Sequence, residues 1–102
     1  MASTAKVEPT IRHIPPATTS LFRIATERKN VELVKKLLCA RGIDFTIFSC
    51  EGAWHGSTEN SMIIELANQS KRSVERVAFA IKALNQQDAI LLQEIPAFTT
   101  II

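Results

Sequence analysis

The chain has 102 residues, and its 12 Lys and Arg against 10 Asp and Glu give a formal net charge of +2. This length suits one small domain and excludes a second, and an apolar fraction of 46% argues against wholesale disorder. The positive excess is too small for a typical nucleic-acid-binding domain, so we expect no nucleic-acid partner. Because no stretch reaches the roughly 18 apolar residues that cross a bilayer, we expect no membrane association either.

The first 19 residues differ in composition from the rest of the chain. Ala, Ser, Thr and Pro dominate residues 1–19, which are predicted to form a flexible arm before a domain over 20–102. The arm lacks the continuous apolar region of a secretory signal. Two cysteines, Cys39 and Cys50, are too few for a disulfide scaffold. We therefore expect a cytoplasmic protein.

The first half of the domain is predicted to be a strand, a helix and a second strand. Residues 21–26 alternate as a strand does, with Phe22 and Ile24 on one face. Asn30 is a suitable N-cap for a helix through Arg41, and Gly42 stands where a left-handed C-terminal cap belongs. The core face of this helix is predicted to comprise Val31, Val34, Leu37 and Leu38. Residues 43–50 are apolar on both faces, which favours a central strand.

The second half repeats the pattern and ends in an apolar tail. In order, the sequence predicts a loop over 51–60, a strand over 61–67, a helix capped by Ser73 and running to about Asn85, a strand over 89–95 and an extended piece over 97–102. The core face of this second helix is predicted to comprise Val74, Val77, Ala78, Ile81 and Leu84.

The element order β-α-β-β-α-β predicts the fold class. Each half is a split β-α-β unit, so the expected product is an α+β, ferredoxin-like sandwich with a four-stranded antiparallel sheet and both helices on one face. Two helices cover only one face of such a sheet, yet the strands are apolar on both faces. A monomer would expose a large apolar patch, and we therefore expect a homo-oligomer.

The predicted loop over 51–60 carries the most unusual side chains. Its Trp offers a stacking surface, and its His would make an acid–base or ligand cluster together with Glu51 and Glu59. The alternative is that the Trp packs on the sheet edge or a neighbouring subunit, while the His is simply solvated. The candidate ligand-binding residues are Gly52, Trp54, His55, Gly56 and Glu59. No catalytic residue is assigned.

Other chemistry finds weaker support in the sequence. The Cys and His residues lack the spacing of a zinc motif, so no metal site is predicted. A Cys50–His55 nucleophile pair would lack an evident oxyanion hole and orienting group. RNA binding through the open sheet would require exposed aromatic residues such as Phe45 or Phe48, but no strand has the Lys/Arg-Gly-Phe pattern. The basic residues have acidic neighbours, as on a solvated helix surface.

A family resemblance accompanies this pattern. The segment Leu33-Val34-Lys35-Lys36-Leu37-Leu38, followed by Gly42-Ile43, Thr46-Ile47 and Gly52, resembles the first helix and second strand of PII-type signalling proteins and their CutA-like relatives. The resemblance implies a trimer with clefts between subunits, in which the Gly52–Gly56 loop faces a neighbour's edge. It does not carry over ATP or 2-oxoglutarate binding, because no basic residue follows Arg76 except Lys82.

Three functional hypotheses follow. The first is a small PII-like regulatory or ligand-binding oligomer, a trimer rather than a dimer, that takes a small molecule at the subunit interface. The second is a dimeric α+β-barrel enzyme that uses His55 with Glu51 or Glu59. The third is an assembly module without a ligand. The sequence names no cofactor, and it leaves open whether the protein is an enzyme.

Overall fold

A computed structural model describes residues 20–100 and 102 of the chain. Its elements are β1 (Ser20–Glu27), α1 (Val31–Ala40), β2 (Phe45–Trp54), β3 (Ser57–Ala67), α2 (Lys71–Leu84) and β4 (Leu91–Pro96). The predicted flexible arm over 1–19 lies outside the described residues. Among the described residues, no helix is long and apolar enough to span a membrane.

The four strands form one antiparallel sheet in the order β2-β3-β1-β4. With the chain order β-α-β-β-α-β, this is the predicted ferredoxin-like α+β fold. The prediction that the second strand is central was wrong, because β2 lies at an edge and the central strands are β3 and β1. Its apolar residues on both faces misled the assignment, since Phe48 on the face away from the helices is 47% exposed.

The core lies between the two helices and one face of the sheet. The central strands contribute alternate residues of β1 and β3, and each helix contributes its predicted apolar stripe. The buried apolar residues are Phe22, Ile24, Val34, Leu38, Ile43, Met62, Ile64, Leu66, Val74, Val77, Ala78 and Ile81. Val31, Leu37 and Leu84, also expected in the core, pack against it while only partly buried.

The residues that cap the helices agree only in part with those predicted from the sequence. Gly42 has a φ of +66° at the end of α1, which confirms the expected left-handed cap. Asn30 is the N-cap residue of α1, but its own φ is +55° and its side chain makes no cap hydrogen bond. The expected Ser73 cap of α2 was wrong, because Ser70 is the N-cap and its hydroxyl oxygen accepts from the backbone N–H of Ser73 at 3.1 Å.

The predicted loop over 51–60 is instead the far half of a long β-hairpin. Strands β2 and β3 pair continuously from Phe45–Leu66 to Trp54–Ser57, and the turn consists of His55 and Gly56. Both turn residues have positive φ, 52° and 82°, as a type I′ hairpin turn requires. The polar, Gly-containing composition is typical of a loop, but here it belongs to strands that project into solvent.

The face of the sheet opposite the helices, here called the open face, has alternating apolar and polar rows. Phe48, Ile63, Ala25 and Leu91 are in register and form an apolar row across all four strands. In the next row Arg23 donates to Glu65 at 2.8 Å, so the two charges neutralise each other. The middle of the open face therefore exposes an apolar row beside a row in which Arg23 and Glu65 are paired.

Candidate functional site

A groove of about 580 Å³ lies at one end of the sheet. Topology places three segments there: the end of β1, the far half of the β2–β3 hairpin, and the loop over 86–90 that joins α2 to β4. The groove extends onto the open face, where Ala25, Ile63 and Leu91 of the apolar row line it. Its volume falls within the range of about 300–1,000 Å³ that is usual for small-molecule sites.

Four of the five candidate residues from the sequence line this groove. The lining includes Gly52, Trp54, His55 and Glu59, whereas Gly56 does not take part. Gly56 occupies the second turn position, where its φ of +82° suits glycine. Gly56 therefore shapes the hairpin turn, which holds Trp54 and His55 beside the groove.

Trp54 and His55 form the tip of the hairpin side of the groove. Their ring centroids are 4.9 Å apart and their planes meet at 82°, an edge-to-face contact between neighbouring rings. Trp54 remains 48% exposed, so a broad part of its indole is accessible to a ligand. An indole of this kind stacks on planar rings and attracts cations.

Gly52 accommodates the Ser61 side chain in the strand pair that borders the groove. A Cβ at position 52 would stand 2.8 Å from the Ser61 hydroxyl oxygen, so a side chain there would displace Ser61. Ser61 is buried, and its hydroxyl donates to the Glu59 carboxylate at 3.4 Å. Gly52 therefore allows the Ser61 hydroxyl to lie close to the neighbouring strand, where it contacts the Glu59 carboxylate.

Acidic side chains dominate the charge of the groove. Four carboxylates contribute to its lining, and Glu27 among them is 3.8 Å from the Lys29 ammonium. Among residues 20–100 and 102, no Lys or Arg lines the groove, and His55 is the one basic side chain there. The acidic lining residues are Glu27, Glu51, Glu59 and Asp88. Such a groove favours neutral or cationic ligands and disfavours phosphates.

The sequence did not indicate that the loop over 86–90 lines the groove. In sequence it reads as a polar turn followed by the start of a strand, which the structure places later, at Leu91. The signal that could have found it is topological. In a β-α-β-β-α-β sheet the end of the first strand, the central hairpin and the connection after the second helix lie at the same end.

Cys39 and Cys50 are free thiols, and Cys50 lines the groove beside the hairpin. Within residues 20–100 and 102, no group of three or more His, Cys, Asp or Glu is arranged to hold a metal ion.

The fold places the chain among small α+β proteins with an open antiparallel sheet, and solved structures share it. The chain is similar to a phage SAM lyase in complex with S-methyl-5'-thioadenosine, with 15% identity, a TM-score of 0.64, and coverage of 94% of this chain and 95% of that chain. The same comparison with a phage SAM lyase in its apo state gives 17% identity, a TM-score of 0.60, and coverage of 91% and 95%.

These likenesses show the fold alone, since the identities are low. A functionally unknown protein from Pediococcus pentosaceus ATCC 25745 is also similar, with 14% identity, a TM-score of 0.48, and coverage of 82% of this chain and 88% of that chain. No protein-family model matches the sequence. No curated protein matches it either.

Proposed function

We propose that this protein binds a small nucleoside-type molecule in the groove, and that it does so as a homo-oligomer. The observation that carries the proposal is the groove itself, whose hairpin side presents an exposed indole beside carboxylates. An indole stacks on a nucleobase, and carboxylates attract a cationic centre. S-adenosylmethionine has both features, because it carries an adenine and a sulfonium.

The shared fold with a phage SAM lyase supports this ligand class. The likeness extends over nearly the whole of both chains, so it covers the elements that form the groove. S-methyl-5'-thioadenosine is the neutral thioether that remains when S-adenosylmethionine loses its aminobutanoate chain. We therefore propose S-adenosylmethionine and its neutral thioether derivative as the two ligands to test.

The oligomer is the second part of the proposal. The groove opens onto the apolar row of the open face, so a second copy that covers this face would also border the groove. The face suits a second copy, because its apolar row is exposed and the adjacent charges of Arg23 and Glu65 are paired with each other. A trimer with inter-subunit clefts, as in PII-like proteins, is the expected assembly.

Trp54 fluorescence tests the ligand proposal directly. Trp54 is the only Trp in the chain, so its emission reports on the groove without labelling. We expect saturable changes with S-adenosylmethionine and with S-methyl-5'-thioadenosine. ATP should give none, because its phosphates meet an acidic lining. If only ATP gives a response, the nucleoside–sulfonium class is wrong and a PII-like nucleotide sensor is favoured.

A pair of charge variants sharpens the same test. Glu59→Gln keeps an acceptor for the Ser61 hydroxyl but removes one negative charge from the groove. It should weaken S-adenosylmethionine binding by about five- to ten-fold and leave the neutral thioether nearly unaffected. Glu32→Gln is the matched control, because Glu32 lies on α1 and its side chain is 80% exposed outside the groove. Equal losses for both ligands would argue against a charge contact.

Catalysis is a second candidate function, favoured by the likeness to a lyase over the full fold. Incubation with S-adenosylmethionine, followed by chromatography for S-methyl-5'-thioadenosine, tests it. His55→Asn separates the roles of the imidazole and the turn, since Asn tolerates the positive φ of a type I′ turn. Turnover that disappears in this variant would support the acid–base hypothesis for His55, whereas unchanged turnover would exclude it.

A further inference from the structure

The pairing of β1 with β4 stops before β1 ends. The last pair in register is Ala25–Leu91, whereas β1 continues to Glu27. A strand N–H beyond the end of its partner needs another acceptor. Here the side-chain oxygen of Gln87 accepts from the Glu27 backbone N–H at 3.3 Å. Gln87 thus replaces a β4 carbonyl at the end of β1.

A series of side-chain hydrogen bonds leads from Asn30, the N-cap residue of α1, to Gln87. Asn30 donates through its amide to Asn85 at 3.0 Å, and Asn85 donates to the Thr26 hydroxyl oxygen at 3.4 Å. The Thr26 hydroxyl in turn donates to the Gln87 side-chain oxygen. Each residue in the series donates to the next one, from Asn30 to Gln87. In such an arrangement the hydrogen bonds strengthen one another.

This series of hydrogen bonds is costly to break because its two middle residues are buried. Asn85 is fully buried and Thr26 is 4% exposed, so neither can turn to water if its partner is lost. Asn30 also donates to the Leu84 carbonyl at 3.2 Å, which ties the start of α1 to the end of α2. The network therefore has one well-anchored end and one end, Gln87, that reaches the groove.

The loop that carries Gln87 needs such an anchor. Its first residue, Gln86, has a φ of +53°, a conformation that is unfavourable for a residue with a side chain. The backbone N–H groups of Gln86 and Gln87 both donate back to α2, to Ala83 and Lys82. The side chain of Gln87 provides the hydrogen bonds that reach from this loop to β1.

We propose that Gln87 is a positioning residue for the groove, which holds the 86–90 loop against the end of β1 so that this wall is formed before a ligand arrives. The inference rests on the proposed function, since it concerns the same groove. A preformed wall lowers the cost of ordering on binding and so increases affinity. A neutral amide performs this role beside Glu27 and Asp88 without adding a further charge.

Hydrogen exchange of single amides, measured by NMR on the whole chain, tests the positioning without any ligand. In Gln87→Ala, the Glu27 amide should exchange at least about ten-fold faster, while the amide of core residue Ile24 stays unchanged. Gln87→Glu keeps an acceptor of the same length and should preserve the slow exchange. Gln69→Ala is the control, because Gln69 lies in the turn before α2 and outside the groove.

Ligand titration with S-methyl-5'-thioadenosine completes the test. Gln87→Ala should weaken binding by about ten-fold, whereas Gln69→Ala should bind as the unaltered protein does. If the unaltered protein binds neither nucleoside ligand, the proposed function fails, while the exchange experiment still decides whether Gln87 holds the loop. Slow Glu27 exchange in Gln87→Ala, or equally fast exchange of Glu27 and Ile24, would overturn the positioning role.

Discussion

At the scale of single residues, both helices end in the same backbone motif with different residues. After α1, the N–H of Gly42 donates to Cys39 and that of Ile43 to Leu38; after α2, Gln86 and Gln87 donate to Ala83 and Lys82. These are Schellman motifs, which require a left-handed residue directly after the C-cap. Glycine fills that position after α1 and glutamine after α2, with φ values of +66° and +53°.

This difference predicts opposite effects of two substitutions. Gly42→Ala places a Cβ in a left-handed conformation and should lower the free energy of unfolding by about 1 kcal/mol. Gln86→Gly relieves the same strain and should raise the free energy of unfolding by about 0.5 kcal/mol. The gain is small because glycine also has more conformational freedom in the unfolded chain. Urea denaturation at one fixed protein concentration measures both. A shift of both variants in the same direction would contradict the argument.

At the scale of elements, the sequence predicted periodicity well and boundaries less well. The apolar spacing of Val34 and Leu38 identified α1, and the alternation of Met62, Ile64 and Leu66 identified the inner face of β3. The far half of the hairpin was mistaken for a loop, because its strands face solvent and carry no apolar alternation. The strand pairing up to Trp54–Ser57 and the positive φ of His55 and Gly56, neither of which the sequence displays, reveal the two-residue turn.

The two faces of α1 provide a matched stability test. Leu38 is fully buried in the core, whereas Leu33 on the same helix is 50% exposed. Leu38→Ala should cost about 2–5 kcal/mol, from lost burial and an unfilled cavity. Leu33→Ala should change stability by less than about 0.5 kcal/mol. Thermal or urea unfolding followed by circular dichroism measures the difference, and comparable losses in the two variants would mean that α1 is packed differently.

At the scale of the whole molecule, the candidate site depends on long-range topology. The hairpin residues Trp54 and Glu59 could be selected from the sequence because they are unusual within one short segment. Gln87 and Asn85 could not, because their importance arises from contacts with Thr26 and Glu27, about 60 positions earlier in the chain. A local pattern cannot display a hydrogen-bond chain that joins two ends of the domain.

The apolar row of the open face predicts where copies of the chain associate. Phe48 and Leu91, at the two ends of the apolar row, are each 47% exposed, and a second copy would bury them. Light scattering coupled to size-exclusion chromatography should give a trimer for the unaltered chain, while a dimer would favour the α+β-barrel alternative. Phe48→Glu places a charge in the apolar row and should shift the mass toward the monomer.

Phe79→Glu is the matched control for this substitution. Phe79 is 69% exposed on α2, which packs on the opposite side of the sheet, so a charge there should leave the assembly unchanged. Circular dichroism should show that both variants remain folded. A monomeric unaltered chain would exclude the oligomer altogether, and dissociation by Phe79→Glu alone would place the interface on the helices. If Phe48→Glu alone dissociates the assembly, the copies meet through the open face, beside the groove.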